Sequence, residues 1–155
     1  MALVRILVDG YSLLHKWPEL APGAARHSDR ARAALTELLQ HYQDASDTPV
    51  TVIFDGQGAP GRRPKTSPGT VEILFSGGGR TADDLIERAA HRFQDYGEVL
   101  VVTDDMAERE TVSASGASVA SCASFIRMID QALAQLQDNL ERRNRAARSS
   151  FRRTH

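Results

Sequence analysis

The chain has 155 residues and a mass of 17.0 kDa, with 41% apolar and 25% charged residues, which fits one soluble globular domain and excludes a disordered chain or a fibre. No apolar run approaches the ~20 residues of a membrane span, and the segment from Met1 to Asp9 lacks the apolar length and cleavage site of a signal peptide. A single cysteine, Cys122, leaves no internal disulfide and no Cys-based zinc site, so a reducing cytoplasm is the expected setting, and the net charge of −1 hides six Arg against one Glu between 141 and 155.

In chain order, residues 3–8 (LVRILV) form a branched apolar run ending at Asp9. Ser28 and Asp29 read as an N-cap before Ala31, Leu35, Leu38, Leu39 and Tyr42, one face of a helix. Residues 50–54 (VTVIF) are a second strand, ending at Asp55. The stretch 56–70 is the long internal loop, with four Gly, three Pro, Arg62, Arg63 and Lys65 and no acid. Such a loop is either functional or a solvated connector. Residues 71–75 (VEILF) are a third strand, followed by Ser76 and Gly77 to Gly79. Thr81 precedes an apolar helical face of Leu85, Ile86, Ala89, Ala90 and Phe93. Residues 99–103 (VLVVT) are a fourth strand, running into Asp104 and Asp105, and 105–114 is a short helix. Residues 117–121 make a short fifth strand. Phe125, Ile126, Ile129, Leu133, Leu136 and Leu140 step by threes and fours along the last helix. After it, 142–155 loses the apolar period and is expected to be an Arg-rich, frayed or disordered tail outside a domain of residues 1–141. Strands alternating with helices predict an α/β domain built on a parallel sheet.

Position carries the chemistry. Three strands end in aspartate, at Asp9, Asp55 and Asp104-Asp105, and Asp83-Asp84 opens the helix after the other. The carboxyl ends of parallel strands share one edge, where ligands bind in open sheets. Several unpaired carboxylates gathered there repel unless a cation sits among them, and hard oxygen ligands favour Mg²⁺ or Mn²⁺. The opposing explanation is helix capping: Thr81 with Asp84, and Asp105 with Glu108, both have capping-box spacing. Gly77-Gly78-Gly79-Arg80 lacks the Gly-Lys-Ser/Thr of a phosphate-binding loop, and no G-x-S-x-G elbow is present. Asp9-Gly10-Tyr11 lacks the second Asp of an aspartyl phosphatase. His15 lies close enough in sequence to Asp9 to touch a substrate, and Trp17-Pro18 is either packed in a helix connection or a platform for a base.

Residues 5–15 (RILVDGYSLLH), 52–55 (VIFD), 71–86 (VEILFSGGGRTADDLI) and 101–108 (VVTDDMAE) resemble the YacP-like branch of the NYN domains, within the PIN-like nucleases. The resemblance covers roughly residues 3 to 140. It implies a three-layer α/β/α sandwich with strand order 3-2-1-4-5, and metal-dependent endonucleolytic cleavage of RNA in decay or processing. The family's catalytic acids fall on Asp9, Asp83 and Asp105, and the metal set they imply adds Asp55 and Asp104. Substrate contacts are expected from Ser12, Arg62, Arg63, Lys65 and Arg80. The implied cofactor is Mg²⁺ or Mn²⁺. The expected partners are RNA and, beyond it, the ribosome, with no membrane, for a monomer or weak oligomer. The family reads V-D-G-Y-N where this chain has Ser12, a shorter side chain with one donor instead of two. That departure, with the Arg-rich tail, keeps a second reading open: an RNA-binding or ribosome-associated module with impaired catalysis.

Overall fold

The computed structural model describes residues 3–56 and 69–154. Among the described residues five strands and five helices follow in the order β1 (Leu3–Asp9), α1 (Gly10–Lys16), α2 (Asp29–Ser46), β2 (Val50–Phe54), β3 (Glu72–Phe75), α3 (Ala82–Phe93), β4 (Glu98–Val102), α4 (Met106–Ala114), β5 (Ser118–Ala120) and α5 (Cys122–Thr154). Short 3-10 turns follow α1 at Pro18–Leu20 and α3 at Gln94–Tyr96. All neighbouring strands pair in parallel, in the order β3-β2-β1-β4-β5. This is the expected order, with β1 at the centre.

Parallel strands alternate their side chains between two covered faces. On one face Ile6, Val8, Val52, Phe54 and Val102 pack with Leu13 of α1, Leu35 and Leu39 of α2 and Phe125 and Ile129 of α5. On the other, Leu7, Ile53, Val99 and Val101 pack with Ile86 and Ala90 of α3 and Val112 of α4. The result is a helix–sheet–helix sandwich. The register sets Asp9 beside Ile53 and Val8 beside Val102, so the ends of β1, β2 and β4 lie side by side. No helix among the described residues is long and apolar enough to cross a membrane.

The expected disordered tail is a correction. Helix α5 runs unbroken to Thr154, well past the last apolar position at Leu140. Residues 139–152 are exposed throughout, so packing does not hold them. Intrinsic propensity does: the stretch has no Gly or Pro and is rich in Arg and Ala, both strong helix formers. Arg142 adds an ion pair at 3.2 Å to Asp138, one turn back.

Gly10 shows why the first turn after β1 needs a residue without a side chain. A Cβ there would sit 2.3 Å from Cε1 and 2.5 Å from Cδ1 of Phe54. Phe54 is fully buried and cannot retreat, because its ring packs between Tyr11 and Phe75 at centroid distances of 5.1 and 5.6 Å. Gly10→Ala is therefore expected to destabilise the domain by about 1–3 kcal/mol, as overpacking does. At roughly 2–4 °C per kcal/mol for a chain of this size, the loss is readable as a lowered Tm in a thermal melt.

Candidate active site

The carboxyl edge of the sheet collects acids through helix starts. Asp9 ends β1 and caps α1: its Oδ1 accepts the Ser12 N–H at 3.3 Å. Its Oδ2 accepts the Thr103 hydroxyl at 3.3 Å. Thr103 is fully buried, and its Oγ in turn accepts the Asp105 N–H at 3.2 Å, so one hydroxyl ties the ends of β1 and β4 together. Asp105 caps α4, with Oδ1 accepting the N–H groups of Ala107 at 3.0 Å and Glu108 at 3.2 Å. Asp84 closes a capping box with Thr81, which leaves Asp83, half-buried on the first turn of α3, outside that box. Asp55 buttresses the same corner, its Oδ1 accepting the Ser76 hydroxyl at 2.8 Å and the Ala82 N–H at 3.2 Å.

The second capping box expected from the sequence is half present. Asp105 caps, but its own N–H goes to Thr103, and Glu108 does not reach back to it. Glu108 is instead 2% exposed, and its Oε1 has no hydrogen-bond partner among the described residues. Burial, then the charges of Asp83, Glu87, Asp105 and Asp9, push its carboxyl up to about 8. Asp83 is also raised, first by burial and then by Asp105, Asp9, Glu87 and Asp55. Asp9 is raised by burial, against its hydrogen bonds from Ser12 and Thr103, with Asp105 and Asp55 adding to the rise. Asp9, Asp83, Asp105 and Glu108 thus lie within one another's field, with Asp55 and Glu87 at the margin. None has a basic ion-pair partner among the described residues.

This donor set suits a hard divalent cation. It is all carboxylate oxygen, it carries excess negative charge, and one buried oxygen lacks a donor. Among the described residues no three of these side chains close on a common point as a ligand set.

The other predicted site residues divide. Asp104 is engaged at the start of α5, its Oδ1 accepting the Cys122 N–H at 2.9 Å. Ser12 Oγ accepts the Asp104 N–H at 3.0 Å and the Cys122 thiol at 3.5 Å, a positioning role for the β4 end. Arg80 is exposed beside a shallow depression of about 290 Å³ bordered by Asp55, Ser76 and the glycines 77–79. Arg62, Arg63 and Lys65 lie outside the described residues. Strand-end position did not single out Glu87 and Glu108. Helical spacing carries both: Glu87 is one turn after Asp83, and Glu108 three residues after Asp105.

Comparison with known proteins bears on the family and the fold. YacP of Bacillus subtilis (strain 168) is 29% identical over 141 residues, covering 90% of this chain and 81% of that one. The crystal structure of Rae1 (YacP) from Bacillus subtilis as a W164L mutant superposes with a TM-score of 0.75 at 25% identity, covering 90% of this chain and 83% of that chain. A second Rae1 (YacP) crystal structure from Bacillus subtilis gives 0.71 at 24% identity, over 92% and 81%. The profile of the YacP-like NYN domain matches residues 6–154, helix α5 included, and the chain therefore belongs to the YacP-like NYN domain family, whose fold is nuclease-like.

Proposed function

We propose that this protein is a metal-dependent endoribonuclease, with Asp9, Asp83 and Asp105 as the metal-holding and catalytic carboxylates and Glu108 as a fourth carboxylate of the same site. The observation that carries the reading is the buried Glu108 Oε1, without a hydrogen-bond partner among the described residues and in the field of Asp83, Asp105 and Asp9, which have no basic ion-pair partner there. A bound Mg²⁺ or Mn²⁺ supplies Lewis-acid polarisation of a phosphodiester and activation of water. The chain's own part is orientation. Ser12 N–H and the Thr103 hydroxyl fix the two oxygens of Asp9. Thr103 holds the Asp105 backbone in register with Asp9. Arg80, at the rim, is placed to meet a flanking phosphate. An RNA strand approaching this edge meets net negative charge, so productive binding requires that the carboxylates be neutralised. A second reading, an RNA-binding module with impaired catalysis, is favoured by Ser12. Its hydroxyl is occupied by Asp104 and Cys122 at the position where the family has Asn.

Cleavage of a labelled single-stranded RNA in Mn²⁺ separates the two. Asp9→Asn and Asp83→Asn should each lower turnover by about 100-fold or more, with RNA affinity retained. Asn still caps α1, so Asp9→Asn should leave the metal-free Tm close to native, and Asp83→Asn should raise it by relieving repulsion. A native chain that binds RNA without cutting it would select the second reading.

The acidic cluster also predicts a pH signature. Glu108 rises from 4.5 to about 8 on folding, so between these values the folded state keeps a proton that the unfolded state has lost. Stability must then fall as pH rises through that window and level off above it, and Asp9 and Asp83 act with the same sign. Calorimetry in chelator should show Tm declining from pH 5 to pH 8. Glu108→Gln should flatten the decline, and Mn²⁺ should restore more stability at pH 8 than at pH 5.

The arginines of α5 after Leu140 are expected to add RNA affinity without chemistry. Each phosphate contact contributes about −0.7 to the log–log salt slope on single strands. Deleting residues 142–155 should flatten that slope and leave turnover at saturating RNA nearly unchanged. Equal slopes for the full and shortened chains would remove the helix end from RNA binding.

A further inference from the structure

Next to the acidic edge, where α1 turns into the start of α2, lies a surface cavity of about 280 Å³. Its floor is apolar, made by Leu14, Ala21 and Ala31, all buried. Trp17, half-buried, stands at its side. His15 and Arg26, both exposed and in contact through His15 Nδ1 and an Arg26 Nη, form its rim. We propose that this cavity is a nucleobase pocket that seats an unpaired base of the RNA strand flanking the bond held at Asp9. The inference rests on the reading that the chain acts on RNA.

Three features select a base over other occupants. Its lining joins an indole and an apolar floor, which suit the flat face of a base, to guanidinium and imidazole donors at the edge, which suit its polar rim. Its location is fixed by the fold. Helix α1 starts on the Asp9 cap, so His15 lies six residues on, about 9 Å along the helix axis. Its surroundings are basic in a domain that is otherwise acidic: residues 15–32 carry Lys16, Arg26, Arg30 and Arg32 against Glu19 and Asp29. Tyr11, two residues after Asp9, carries a His and an Arg from the segment that also supplies Arg26. The His27 ring lies 4.1 Å from that of Tyr11, and Arg32 donates to the Tyr11 hydroxyl at 3.1 Å. A strand leaving the carboxylates along α1 would therefore meet Lys16, Arg26 and Arg30 for its phosphates, Arg32 being paired to Asp29, and a recess whose lining suits a base.

Trp17 is the chain's only tryptophan, so its emission reports on the pocket directly. The native protein is titrated with adenosine 5′-monophosphate and, separately, with ribose 5-phosphate, which differs only in lacking the base. The expected result is saturable quenching by the nucleotide and none by the sugar phosphate, with Arg26→Ala weakening the nucleotide several-fold. In parallel, anisotropy of a labelled single-stranded RNA is measured on chains carrying Asp9→Asn to prevent cleavage. Adding Trp17→Ala should lower affinity about tenfold, the size of one lost stacking contact, with the salt slope unchanged. If Trp17→Ala fails to fold, the comparison on the native chain still decides. RNA binding with Trp17 emission unmoved by the nucleotide, or quenching by ribose 5-phosphate to the same extent, overturns the pocket and leaves the nuclease reading standing. Absence of RNA binding by either measure overturns both.

Discussion

Like charges held together are the constraint on which the rest of this structure depends. Burial first, and then neighbouring carboxylate charges with Asp105 among them, hold the Asp9, Asp83 and Glu108 carboxyls above their ordinary range, and no Lys or Arg among the described residues is ion-paired to this group. What offsets the repulsion in the protein alone is backbone. Asp9, Asp104 and Asp105 each accept an N–H from the first turn of a helix, Asp84 accepts the N–H of the N-cap Thr81, and Asp55 accepts the N–H of Ala82 where α3 begins. Four helices aim their positive ends at one edge of the sheet. Capping, which competes with ligand binding as an explanation of any single aspartate, falls here on Asp9 and Asp105, two of the residues proposed to hold the metal.

The central strand explains how distant segments meet. With β1 flanked by β2 and β4, Asp9 has the ends of both as neighbours, and the buried Thr103 hydroxyl locks two of the three together. Gly10 lets α1 begin immediately, against the face of Phe54. Displacement of this corner would move the carboxylates apart and lift the first helix off the core.

The strands were legible because each is a short apolar run ending at a polar corner, and their alternation with helices implied a parallel sheet; their order came with the family resemblance, not with the pattern. Asp9, Asp83 and Asp105 were legible as strand ends and helix starts. Glu108 was not, because a Glu three residues into a helix reads as a cap, and only burial shows that it turns inward. Asp104, grouped with the others from sequence, is drawn to the start of α5 by the Cys122 N–H, a contact that spans 18 residues. The helical state of 142–154 was hidden because apolar periodicity registers packing, whereas this stretch owes its helix to propensity, with the Arg142–Asp138 ion pair at its start.

The exposed end of α5 has a consequence for how the molecule meets a polyanion. From 142 to 154 the helix extends about 20 Å, more than twice the Debye length of about 8 Å at physiological ionic strength. Its net charge of +5 over residues 141–155 is therefore not cancelled by the −6 of the remaining chain. The protein is an electrical dipole with a projecting positive pole. A polyanion would be drawn first to the arm and would arrive at the acidic edge already tethered, so that capture and approach become two separate events.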